Sequence, residues 1–187
     1  MSGPQRIPLD ALHRELGARM GPFAGYDMPI QYPAGLKAEH LHTREAAGLF
    51  DVSHMGQIRA TGPQLQRALE AALPVDFDGW PPGLQKYSFL LNDAGGIEDD
   101  LMLTNLGDEV RLVVNAGNRD KDIGLLRQRC PRIAFEWIDA ALIALQGPAA
   151  EAVLARLDPS AASLAFMQSA TLTLCGAGCF TTRSGYT

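Results

Sequence analysis

YSFLLNDAGGIEDDLMLTNLGDEVRLVVN, residues 87–115, is the stretch on which the fold turns. Segments 87–92, 98–105 and 109–115 are rich in Leu, Val, Phe and Tyr. Asp93-Ala94-Gly95-Gly96 and Leu106-Gly107-Asp108 separate them. Two short turn sequences between apolar, alternating runs predict a three-stranded antiparallel meander. To its N-terminal side, alternation over 55–60 predicts another strand. Gly62-Pro63 then leads into a helix with Leu65, Leu69 and Leu73 on one face. To its C-terminal side a helix is expected over 119–127, strands over 133–138 and 141–145, a helix with Pro148 near its first position, and strands over 170–174 and 179–183 joined by Gly176-Ala177-Gly178. Nearer the N-terminus, Leu9, Leu12 and Leu16 recur at helical spacing up to Gly17, and a second helix is expected over 36–47, closed by Gly48. Between them, GPFAGYDMPIQYPA (21–34) holds two glycines and three prolines and reads as a rigid, aromatic-walled loop. Helices and hairpin-linked strands interleave, which makes the class α+β with a mainly antiparallel sheet and packed helices.

The 187 residues carry 16 Lys+Arg against 21 Asp+Glu, a formal charge of −5, and 47% are apolar. That composition fits one globular domain and excludes disordered, collagenous and coiled-coil classes. The acidic balance argues against nucleic acid or an anionic membrane surface as partner. Three cysteines, Cys130, Cys175 and Cys179, leave at least one thiol unpaired, so a reducing, cytoplasmic setting is expected. The N-terminal segment has no apolar core of a signal peptide, and 140–150 is far shorter than a membrane span. The chain stops at Gly185-Tyr186-Thr187 directly after an expected strand, which predicts a truncated domain.

Dinucleotide, P-loop, α/β-hydrolase and zincin motifs are missing from the sequence. Cys175 and Cys179 have no further Cys or His neighbours in sequence, so no metal site is expected. His40 and His42 point to different faces of their helix and read as surface or capping residues. The unusual segment is GGIEDDLML (95–103), in which three acids enter an apolar strand. Acids at a hairpin tip are commonly solvated. A period of two, however, puts Glu98, Asp100 and Met102 on one face and Ile97, Asp99, Leu101 and Leu103 on the other. Whichever face is buried, one carboxylate sits among apolar neighbours and is either satisfied structurally or functional. Alternation alone does not choose between Asp99 and Asp100. FDVSHM (50–55) is a second concentrated segment, with His54 either a base or a structural histidine. Asn115, where strand becomes helix, is either a cap or a functional amide.

Taken together, FAGYDMP (23–29), HTR (42–44), FDVSHMG (50–56), GGIEDDL (95–101), VNA (114–116), Lys121-Asp122, ALQGP (144–148) and TRSGYT (182–187) resemble the N-terminal half of the glycine cleavage aminomethyltransferases. The match is collinear over essentially all of residues 1–187. It departs at Glu98, where the family usually has an apolar residue, and family members continue beyond GYT. The resemblance implies a folate-binding part over 1–187 with the remainder absent. It also implies transfer of an aminomethyl group from the lipoyl arm of the H-protein to tetrahydrofolate as co-substrate, with release of ammonia and formation of 5,10-methylenetetrahydrofolate. By the same resemblance, the second Asp of the acidic motif, Asp100, is the critical carboxylate. Met55, Tyr87, Val114, Asn115 and Tyr186 match positions lining the folate pocket. Two other functions share this scaffold: a folate-dependent demethylase, and a non-catalytic folate-binding module.

Overall fold

The computed structural model describes residues 3–185. In chain order the elements are β1 (Gln5–Arg6), α1 (Asp10–Glu15), β2 (Arg19–Phe23), β3 (Tyr26–Gln31), α2 (Leu36–Glu45), β4 (Gly48–Asp51), β5 (Gly56–Thr61), α3 (Leu65–Ala72) and β6 (Gln85–Leu91). They continue with β7 (Ile97–Asn105), β8 (Glu109–Val114), α4 (Arg119–Arg129), β9 (Ala134–Trp137), β10 (Ile143–Gln146), α5 (Ala150–Ala155), β11 (Ser169–Leu174) and β12 (Ala177–Thr182). The class is α+β, as expected. The expected meander forms β6, β7 and β8, three consecutive strands of a five-stranded antiparallel sheet in the order β6-β7-β8-β5-β9.

Period-two patterning decides which face of this sheet is covered. Leu101 and Leu103 on β7 lie opposite Val114 and Leu112 on β8, and the same buried row continues through Ile58 and Ala60 on β5 to Phe135 on β9. Leu65 and Leu69 of α3, and Ile123 and Leu126 of α4, close over that row to make the main core. Each fully buried aliphatic side chain there contributes roughly 1.5–3 kcal/mol. The opposite face, carrying Tyr87, Asp100 and Met102, has no helix across it among the described residues and stays partly open.

Four expectations are corrected. The expected helix forms over Asp10–Glu15, but the leucine stripe is not what it buries. Leu12 and Leu16 are 45% and 55% exposed, whereas Asp10 and His13 are buried. Polar partners hold that face: Asp10 accepts from Arg14, His13 Nε2 lies 3.0 Å from Asp51 Oδ2, and the Tyr32 hydroxyl lies 2.7 Å from His13 Nδ1. Segment 21–34 is mostly a β-hairpin, not a loop. Ala24 and Gly25, with φ of 48° and 85°, make the tight turn that suits a two-residue hairpin. Its prolines are tolerated because Pro22 is on an edge strand and Pro29 lies beyond the two residues of β3 that pair with β1. The second helix ends at Glu45, and Gly48, expected to close it, instead opens strand β4, which pairs with β10. Lastly, the turn between β11 and β12 is Cys175-Gly176, since Leu174 already pairs with Ala177.

At Gly147 the β10–α5 connection crosses the end of α2. Its φ is +116°, and a Cβ there would lie 2.4 Å from Thr43 O and 2.5 Å from Ala46 O, both rigid backbone. Strain and overlap together make Gly147→Ala destabilising by about 2–4 kcal/mol. A denaturant midpoint that falls at unchanged slope is the expected readout.

Candidate functional site

The acidic segment enters the sheet at the start of β7, beside the end of β8. Asp99 shares the helix-covered face with Leu101, while Asp100 shares the open face with Met102 and Tyr87. Sequence alternation left that choice open, and the placement of α3 and α4 settles it. Asp100 is held by two donors, one on β6 and one just beyond the end of β8. The Tyr87 hydroxyl donates to its Oδ2 at 2.8 Å, and Asn115 Nδ2 donates to its Oδ1 at 2.9 Å. Tyr87 is 53% exposed, and the carboxylate beside it raises its pKa, first through this hydrogen bond. The result is an anion fixed in direction on a rigid strand, with one side toward solvent.

Asn115 is not the cap that one of its two sequence readings expected. It stands at the N-cap position of the 3-10 turn Ala116–Asn118, yet its side chain makes no capping bond. Its amide nitrogen reaches Asp99 Oδ1, Asp100 O and Asp100 Oδ1 instead, at 2.9, 3.2 and 2.9 Å. Asn118 Nδ2 donates to Asp99 Oδ2 at 3.0 Å, and the Asp100 amide donates to Asp99 Oδ1 at 2.9 Å. Burial alone would push the Asp99 carboxyl up. Hydrogen bonds from Asn115, Asp122, Asn118 and the Asp100 backbone outweigh it, and its pKa lies below the ordinary value.

The other expected residues are distributed differently. Met55 is half-buried one residue before Gly56, the register partner of Val114, so it flanks the strand end that carries Asn115. Val114 is fully buried in the core, and its side chain lies on the face opposite Asp100. Tyr186 lies outside the described residues. His54 is buried between the rings of Phe23 and Tyr26, and burial lowers its pKa. Glu98 meets Lys121, whose ammonium donates to its backbone oxygen at 2.8 Å. Two cavities of about 300 and 450 Å³ are lined by residues other than Tyr87, Asp99 and Asp100.

One site residue stood out in the sequence only as half of the Lys121-Asp122 pair, with no role attached. Asp122 is wholly buried on α4. Its signal was present: Asp122, Leu126 and Cys130 follow at intervals of four on a buried stripe, and an acid on such a stripe demands a partner.

These features define an antiparallel α+β domain whose main sheet is capped by helices on one face and presents an oriented carboxylate–amide–hydroxyl cluster at the other. The chain belongs to the GCVT N-terminal domain family, whose model matches residues 9–187. It is 42% identical over 195 residues to the mitochondrial aminomethyltransferase of Dictyostelium discoideum, covering 98% of this chain and 48% of that protein. With the mitochondrial aminomethyltransferase of Gallus gallus it shares 41% over 195 residues, 99% of this chain and 50% of that protein. The crystal structure of glycine cleavage system aminomethyltransferase T from Bartonella henselae matches with a TM-score of 0.90 at 44% identity, over 97% of this chain and 50% of that one. A heterotetrameric sarcosine oxidase from Corynebacterium shares the fold alone, with a TM-score of 0.53 at 17% identity. The chain spans about half the length of the curated relatives it matches. Among the described residues, no helix is long and apolar enough to cross a membrane.

Proposed function

We propose that residues 1–187 are the folate-binding part of a glycine cleavage aminomethyltransferase. In this reading the lipoylated H-protein presents an aminomethyl group on sulfur, and tetrahydrofolate is the co-substrate. Two folate nitrogens take the methylene carbon in turn: the carbon–sulfur and carbon–amine bonds both open, the two folate N–H protons pass to the leaving groups, and ammonia, the free lipoyl thiol and 5,10-methylenetetrahydrofolate remain. The observation that carries the reading is the oriented Asp100 carboxylate, held by Tyr87 and Asn115 on the open face of a sheet shared with named aminomethyltransferases.

The chemistry asks for a positioned nitrogen and a fixed negative charge, because positive charge develops as the carbon passes between heteroatoms. Asp100 supplies that charge. Tyr87 and Asn115 hold it in one rotamer, so it does not reorganise when the charge develops. Half-buried Met55 and Met102 limit water near it, which strengthens its field. The reading places the reaction in the cytoplasm, a reducing setting consistent with three free thiols at Cys130, Cys175 and Cys179.

The test is ammonia release and methylene transfer to folate on mixing the protein with aminomethylated H-protein and tetrahydrofolate. Stoichiometric ammonia and 5,10-methylenetetrahydrofolate are expected. Tetrahydrofolate binding without ammonia would favour a non-catalytic folate module instead, and turnover of an N-methylated amino acid would favour a demethylase.

A further inference from the structure

Asp122 is the one acid in the cluster that no donor satisfies. Its side chain is wholly buried, and neither carboxyl oxygen receives an N–H or O–H from another described residue. It lies in hydrogen-bond contact with the Asp99 carboxyl. Two carboxyls in contact, Asp122 wholly buried and Asp99 partly so, repel each other when both are ionised, so the pair shares a proton. Three donors already stabilise the Asp99 anion: Asn115 Nδ2, Asn118 Nδ2 and the Asp100 backbone amide. The proton therefore resides on Asp122, where it also satisfies the otherwise orphaned acid.

We propose that Asp122 is a positioning residue of the Asp100 site: it keeps a proton, donates it to Asp99, and so fixes the Asn115 amide that orients Asp100. The relay runs from Asp122 through Asp99 and Asn115 to Asp100, and Tyr87 holds the far side. The Asn115 nitrogen divides its two protons among three oxygens of Asp99 and Asp100. Loss of the Asp122 proton sets two anions against each other, displaces Asp99, and releases the amide that holds Asp100. In the present arrangement the Asp122 carboxyl is pushed up to about 7, first by burial and then by Asp99, so this release falls in the neutral range.

The surrounding charges agree with this. Asp99 and Asp100 on β7 oppose ionisation of Asp122, and Lys121 on its own helix favours it. Other charged groups on α4 and the elements packed against it are committed elsewhere or exposed. Glu70 of α3 accepts from the Phe77 amide, Glu136 of β9 pairs with Arg59, and Arg67 of α3 is exposed. On α4, Arg119 meets Tyr26, Arg127 and Arg129 donate to backbone carbonyls, and Asp120 is exposed.

The functional half of this inference rests on the proposed tetrahydrofolate site; the proton-sharing half does not, and the test separates them. In the ¹³C-carboxyl-aspartate-labelled 187-residue chain, the Asp122 carboxyl signal is expected to titrate near neutrality, and the Asn115 side-chain amide signals should shift with the same midpoint. In Asp122→Asn, whose amide donates to Asp99 at every pH, that midpoint should vanish from the Asn115 signals. An Asp122 carboxyl that titrates near 4, or Asn115 signals indifferent to it, overturns the inference. The second readout is tetrahydrofolate affinity. The wild type should lose about three- to tenfold between pH 6 and 8.5, as a partly released charge-assisted hydrogen bond implies, and Asp122→Asn should lose none. Equal pH profiles in the two proteins overturn the positioning role. No binding by either at any pH overturns the folate reading while the carboxyl titration still decides the proton pair.

Discussion

Asp100→Asn is expected to lower the rate of tetrahydrofolate-dependent ammonia release by about 10²- to 10³-fold, the usual effect of removing one oriented electrostatic group from a reacting centre. The fold should survive. Asn keeps the shape of Asp, its oxygen can accept from Asn115, and the Tyr87 hydroxyl can turn to accept from the new amide. Asp100 is half-buried at the open face, so no core contact is lost. The measurement is single-turnover transfer with aminomethylated H-protein, alongside a denaturation midpoint. An unchanged midpoint with the rate loss is the expected pair. A rate near wild type in a folded Asp100→Asn protein removes Asp100 from the site.

The second large effect is on stability. A carboxyl held neutral up to about 7, against 3.8 in the unfolded chain, favours the native state fully below 3.8. That contribution is lost as pH rises through about 7, because the native protein then binds a proton that the unfolded chain has already released. At pH 8 the loss is at most ~4 kcal/mol, local relaxation taking up part of it. Asp122→Asn removes the titration and supplies a permanent donor to Asp99. The variant should therefore gain stability relative to wild type as pH rises from 4 to 8. Asp10 and Asp158 have lowered pKa values and act in the opposite direction, but neither meets Asp122, so their contributions are common to both proteins and cancel in the difference. Guanidinium unfolding of the pair at pH 4, 6 and 8 checks this. A stability difference that does not change with pH contradicts a protonated Asp122.

Much of the fold was legible because burial and period agree. Leu101, Leu103, Leu112 and Val110 alternate as strands that bury one face must, and Leu65, Leu69 and Leu73 repeat as a helix packed on a sheet must. Where the buried partner is polar, the pattern misleads. Helix α1 shows a leucine stripe but buries Asp10 and His13, because Arg14, Asp51 and Tyr32 satisfy them across the chain, and no local spacing encodes those partners. The hairpin at 19–31 was masked by its prolines, which are harmless only because of where the neighbouring strand ends. At the site, alternation narrowed the choice to Asp99 or Asp100. Only the position of α4 across one face of the sheet shows that Asp99 is the one on the covered face, and the same helix brings Asp122 to it. The resemblance to a known family named Asp100; it attached no role to the acid that props it.

The most direct test of the account is calorimetric titration of tetrahydrofolate into the 187-residue chain, beside the same chain carrying Asp100→Asn. Saturable binding that weakens in Asp100→Asn is the predicted result and would place folate on the open face of the β6-β7-β8 sheet. Saturable binding of equal strength in both proteins, or no binding by a demonstrably folded wild-type chain, would contradict a folate site organised by Asp100 within these residues.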